Sequence, residues 1–152
     1  MQTESIRDII TALPFFDSVS PAYIDIFCEH ATHMQINNGH FLLTRGSDAS
    51  QFYFIETGKV HIEMGSGDKG PVTIQALGPN DLVGWSFLIP PFKWRFDALA
   101  VEPTSVLAID GATIRNKCES DHSFGFDMMK RIAKVITDRL LHTRMQLMEF
   151  YV

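Results

Sequence analysis

The chain has 152 residues, of which 45% are apolar and 20% charged, and a formal net charge of −5. These values predict one globular domain over residues 1–152 with a single core. They exclude a general nucleic-acid surface, which needs clustered Lys and Arg. No apolar run is long enough to span a bilayer. Glu4, Arg7 and Asp8 interrupt the N-terminus, so it is no signal peptide. Cys28 and Cys118 lack metal or redox spacing, and the expectation is a cytoplasmic protein with two reduced thiols.

In chain order, Ile6, Ile9, Ile10 and Leu13 recur at helical spacing, with Thr3 as N-cap and Pro14 as terminator. Ser20-Pro21 starts a second helix, Ser as N-cap and Pro at the first helical position, with Ile24, Phe27 and Cys28 as its apolar stripe. From about residue 32 to 109 the period becomes two. The alternating positions are Met34/Ile36, Phe41/Leu43, Phe52/Phe54, Val60/Ile62/Met64, Val72/Ile74/Ala76, Phe96/Ala98/Ala100 and Val106/Ala108. Glycines separate these runs. The pattern predicts a mainly β fold with flanking helices, an antiparallel sandwich or jelly-roll barrel (a double-stranded β-helix). No helix follows the glycine-rich run 65–70, so it is a hairpin turn and not a phosphate loop.

Helical spacing returns over residues 112–118 after Asp110, a good N-cap. Ser120 or Asp121 then caps the longest helix, over about 121–150. Its apolar positions are Phe124, Met128, Ile132, Val135, Ile136, Leu140, Leu147 and Phe150 or Tyr151. Arg131, Lys134, Arg139 and Arg144, interleaved with Asp138 and Glu149, predict a solvated basic face on that helix.

Several patterns carry a family resemblance. Leu13-Pro14-Phe15-Phe16 opens it, and Gly39 with Arg45-Gly46 forms a first hairpin. Residues 52–60, FYFIETGKV, give a strand-turn-strand, and residues 77–84, LGPNDLVG, lead into a loop. Together with the element order, these resemble the cyclic nucleotide-binding domain of Crp/Fnr-type sensors and protein-kinase regulatory subunits. The run Gly84-Trp85-Ser86-Phe87-Leu88, Pro90-Pro91 and Trp94-Arg95-Phe96-Asp97-Ala98 resembles a bacterial subgroup of short stand-alone members. The resemblance covers nearly the whole chain. It implies a regulatory or sensor module with a β-roll and a long C-terminal dimerisation helix, and no catalysis.

The same resemblance places a phosphate-binding cassette at Gly84. Cyclic nucleotide-binding members carry Glu after that Gly, accepting from the ribose 2′-hydroxyl, and an Arg about ten residues on that pairs with the phosphate. Here Trp85 stands in the Glu position. An indole has one donor and no acceptor, so it cannot replace the carboxylate. Arg95 matches the phosphate Arg by counting. The strand alternation instead turns Phe96, Ala98 and Ala100 inward, placing Arg95, Asp97 and Leu99 on the other face. Phe96 and Trp85 then fill the nucleotide's volume, and Arg95 pairs with Asp97. Two readings stay open: a degenerate cassette that takes no cAMP, or an anion site on Arg95. Likewise Trp85, Phe87, Phe92, Trp94 and Phe96 either plug the barrel or form a pocket or patch for an apolar ligand or partner protein. The candidate pocket is therefore Gly84, Trp85, Ser86, Phe87, Leu88, Trp94, Arg95, Phe96, Asp97 and Ala98.

The seam Met128, Ile132, Val135, Leu140 and Leu147 resembles the helix through which Crp-type proteins form dimers, so a homodimer is expected. Family transcription factors continue into a winged helix-turn-helix. This chain stops at Val152 without one, and no specific DNA binding by itself is expected. A jelly-roll metal enzyme is the competing class. It needs several His and a carboxylate, commonly begun by His-x-His. His30, His33, His40, His61, His122 and His142 form no such pair, so no metal and no cofactor are expected. No nucleophile motif such as G-x-S-x-G is present either.

Overall fold

The computed structural model describes residues 5–65, 68 and 70–151. Helices α1 (Ile6–Ala12) and α2 (Pro21–Glu29) flank a 3-10 turn, Pro14–Phe16. The strands follow as β1 (Ala31–Ile36), β2 (Phe41–Leu43), β3 (Gln51–Thr57), β4 (Val60–Gly65), β5 (Pro71–Leu77), β6 (Leu82–Val83), β7 (Asp97–Ala100) and β8 (Thr104–Asp110). Helices α3 (Gly111–Ser120) and α4 (His122–Met148) and a 3-10 turn, Glu149–Tyr151, complete the chain.

The strands form two four-stranded antiparallel sheets, ordered β1-β8-β3-β6 and β2-β7-β4-β5. Sequence neighbours such as β2 and β3 lie in different sheets, which is the jelly-roll plan expected from the spacing. The expected Thr3 cap and most of the run 65–70 lie outside the described residues. Ser5 caps α1, its hydroxyl accepting from Asp8 N–H. Ser20 and Pro21 start α2 as expected, although Ser20 makes no side-chain cap. Asp110 and Asp121 cap α3 and α4, accepting from Ala112 N–H and Phe124 N–H. The Phe124 N–H bond, first among several contacts, holds the Asp121 carboxyl below its usual range.

Alternation holds along β7, where Ala98 and Ala100 are wholly buried between half-buried neighbours. It fails along β3, where Phe52, Tyr53, Phe54 and Ile55 are all buried. A sheet face turned to solvent would expose alternate residues; here the N-terminal segment covers β3 from outside. The Phe54 ring lies 5.2 Å from Phe15 and 5.3 Å from Phe16, and Phe16 in turn packs edge-on against Phe27 at 4.8 Å. Alternation also fails at the rims: Phe41, Met64 and Val72 are exposed although their spacing marked them as inward.

α4 docks on the roll through Phe124, Met128 and Ile132, each at most 2% exposed. Gly125 permits this. A Cβ there would come 2.6 Å from the Cys118 carbonyl oxygen, so the missing side chain sets how closely α3 and α4 approach. The two cysteines are free and half-buried, and burial raises the thiol pKa of Cys118 to about 11. No helix among the described residues is long and apolar enough to cross a membrane. Gly125→Ala is expected to destabilise the protein by about 1–2 kcal/mol despite alanine's better helix propensity, because the atom it meets is backbone and cannot retreat. A melting curve of the variant checks this.

Candidate functional site

The loop between β6 and β7 begins at Gly84 with φ +93°. This left-handed conformation suits glycine, and a second constraint reinforces the choice. A Cβ on Gly84 would overlap the six-membered ring of Trp94, which is 5% exposed. The ring seated on the loop's first residue is thus Trp94, ten residues further along. Two tight turns follow, Leu88 N–H donating to the Trp85 carbonyl and Phe92 N–H to the Ile89 carbonyl around a cis Pro90–Pro91 bond.

Each residue of the predicted pocket now has a place. Phe87 is core: it stacks on Phe52 with ring centroids 4.0 Å apart and planes 10° from parallel. Ser86 and Ala98 are buried and Leu88 is half-buried. Trp85 and Phe96 are both half-buried and meet edge-on at 6.2 Å. Both pack against the core, and the ring seated on Gly84 itself is Trp94. Arg95 is exposed, as the alternation predicted. Its expected pairing with Asp97 is overturned. The Asp97 carboxylate accepts from the Arg45 backbone N–H at 2.7 Å, because the return arm of the loop lies along residues 45–49. That arm is tied by Trp94 N–H to the Ser47 carbonyl, Gly46 N–H to the Trp94 carbonyl, Ala49 N–H to the Phe92 carbonyl, and a Lys93–Asp48 ion pair.

Two arginines that sequence reasoning did not place at the site hold the loop from outside. Arg115 of α3 donates from Nη1 to the Phe87 carbonyl at 3.0 Å and lies 4.2 Å from the Phe92 ring centroid. Arg139 of α4 donates to the Leu82 carbonyl, and its guanidinium lies 5.1 Å from the Trp85 ring centroid. Gln75 of β5 reaches the Arg139 carbonyl at 3.4 Å. The predicted solvated basic face is thereby corrected. Arg131 also turns inward, to Asp127 at 3.0 Å and to the Phe15 carbonyl at 2.6 Å, while Lys134 stays exposed beside Asp138. A signal for Arg139 existed: positions 128, 132, 135 and 139 share one helix stripe, which continues the buried face.

The predicted dimer seam divides in two. Met128 and Ile132 are 2% exposed and belong to this chain's own core, with Val135 packed beside them. Leu140 and Leu147 are exposed on another face, about 100° around the helix.

A cavity of about 610 Å³ lies apart from the loop, between the 3-10 turn at Pro14, the β5–β6 turn and α4. None of residues 84–98 lines it. Among the described residues no group of three or more His, Cys, Asp or Glu is placed to hold a metal ion.

With this geometry established, comparison identifies the fold's kin. The family model for the cyclic nucleotide-binding domain matches residues 33–121. The chain belongs to that family. A Rhodopseudomonas palustris protein named as a potassium channel is 29% identical over 107 residues, 70% of this chain and 26% of that protein. The chain thus spans about a quarter of the length of that curated relative. Among solved structures, a Geobacter metallireducens protein described as cyclic nucleotide-binding superposes with a TM-score of 0.79 at 22% identity, covering 91% of this chain and 99% of the other. The catabolite activator protein of Thermus thermophilus gives 0.69 at 20% identity, covering 91% and 63%.

Trp94→Ala is expected to cost about 3–5 kcal/mol, the usual range for deleting a buried aromatic ring. Arg95→Ala is expected to stay within about 0.5 kcal/mol of the parent, as for exposed positions generally. Urea titrations of the two variants check the pair.

Proposed function

We propose that this chain is a regulatory module of the cyclic nucleotide-binding family whose cassette is closed by its own side chains and takes no cAMP or cGMP. One observation carries the reading: the Trp94 ring occupies the space over Gly84, while Arg95, the only residue matching the phosphate-binding Arg by position, faces solvent. Trp85 supports it, because no acceptor stands where the family places the ribose-binding carboxylate. In place of a ligand, Arg139 joins α4 to the cassette through the Leu82 carbonyl and the Trp85 ring. The module has no catalytic role in this reading, and with two free thiols it acts in the cytoplasm. Titration calorimetry with cAMP and cGMP is expected to give no saturable heat; micromolar binding overturns the reading.

The output surface in this reading is the outer face of α4, paired with a second copy of the chain. Met129, Ala133, Ile136, Leu140, Thr143, Leu147 and Phe150 recur at alternating four- and three-residue steps, the repeat of a two-stranded coiled coil. Met129, Leu140 and Leu147 on α4 are exposed large apolar residues, as is Phe150 in the turn that follows, and such a seam is complementary to itself about a two-fold axis. This seam lies beside the stripe that docks α4 onto its own roll, so the two demands do not compete. Light scattering on the eluting protein is expected to give twice the chain mass. Leu140→Glu with Leu147→Glu is expected to give the monomer with its circular dichroism unchanged, whereas a monomeric parent refutes the pairing.

A further inference from the structure

The cavity between the 3-10 turn, the β5–β6 turn and α4 has an unbalanced feature. Most of its charges are already matched. Lys134 holds Asp138 at 3.1 Å, Arg131 holds Asp127 from outside the cavity and the Phe15 carbonyl, and the Asp81 carboxylate accepts from Gly78 N–H at 2.9 Å. Asp17 and His142 are exposed, so water screens them. Arg139 is the exception. One guanidinium nitrogen donates to the Leu82 carbonyl, but Nη1 is buried and has no hydrogen-bond partner. No ion pair joins Arg139 to any carboxylate among the described residues.

A buried guanidinium keeps its proton and is costly to hide unless every donor finds an acceptor. Burial lowers the Arg139 pKa to about 10, with Asp81 acting in the opposite direction. Apolar walls at Phe15, Phe54, Leu77, Leu82 and Val135 share the cavity with the polar side chains of Gln75 and Asn80 and with the charged groups named above. At about 610 Å³ the space lies within the range of small-molecule sites.

We propose that this cavity is a second binding site, separate from the cassette, for a small organic acid: a carboxylate or phosphate monoester that pairs with the Arg139 guanidinium and lays an apolar or aromatic body against Phe15 and Phe54. A guanidinium binds either oxyanion by charge-assisted hydrogen bonds, which is why the two share one site. The same side chain already holds the Leu82 carbonyl and covers Trp85, so an acid bound here sits on the joint between α4 and the cassette. The proposal does not depend on whether the cassette takes a cyclic nucleotide.

The test is an NMR titration of the full chain with benzoate and with phenyl phosphate, using benzyl alcohol as the neutral control. Saturable shifts are expected at the amides of Phe15, Phe54, Leu77 and Leu82, with either acid and not with the alcohol. If only one acid binds, the carboxylate and phosphate sources are told apart and the site stands. Arg139→Gln is expected to weaken binding at least tenfold. Should that variant fail to fold, Ala76→Trp decides instead. Ala76 is an exposed residue that lines the cavity, so the indole fills the space while keeping the charge, and it is expected to abolish the shifts. Equal response to the alcohol, undiminished binding by both variants, or shifts confined to residues 86–98 overturns the proposal.

Discussion

The seat of the Trp94 ring on Gly84 is the contact from which the rest of the site follows. A backbone with φ +93° and no side chain leaves a hollow at the start of the β6–β7 loop, and the loop's own return arm fills it. Because the ring is large and the hollow is shaped by backbone, the contact fixes both ends of the loop relative to each other. The ladder of hydrogen bonds from residues 46–49 to residues 92–94 then holds the arm in register. In cyclic nucleotide-binding relatives with the Gly-Glu and Arg pair, the resemblance assigns that region to a ligand's phosphate and ribose. Here Trp85, Trp94 and Phe96 stand in it.

The long helix serves three surfaces at once, and its angular spacing keeps them apart. Phe124, Met128 and Ile132 bury against the roll. Arg139, further along the same stripe, and Arg131 at its edge reach backbone carbonyls of β6 and of the N-terminal turn. The apolar stripe through Met129, Leu140 and Leu147 looks outward. Steps of 100° per residue allow this division on one helix without a break. Gly125 adds the remaining condition, since α3 lies too close at that point for any Cβ.

Arginine has an unexpected share in the construction. Arg115 and Arg139 each combine a hydrogen bond to a carbonyl with a guanidinium lying over an aromatic ring. The planar guanidinium suits both contacts, and its stem buries easily along apolar surface. The cassette is therefore pinned from two helices through side chains that composition alone would assign to solvent.

The jelly-roll architecture was legible in the chain because its signals are local: period-two runs, glycine breaks, the Ser20-Pro21 helix start, and caps at Asp110 and Asp121. Family membership was legible too, from residues 52–60 and 77–84. The inward face of β7 followed from Ala98 and Ala100, and so did the outward turn of Arg95. What the tertiary structure decided was every question about which of several equivalent groups arrives at a given point. Trp85, Trp94 and Phe96 are all large and aromatic, so only the path of the chain around Pro90–Pro91 selects the ring that lies on Gly84. Helical spacing marks Met128 and Leu140 alike as apolar, and only the docked position of α4 separates core from open seam. Arg139 carries a charge that favours water, and no local rule turns it inward. A carbonyl and an indole face, brought near by strands far away in sequence, do so.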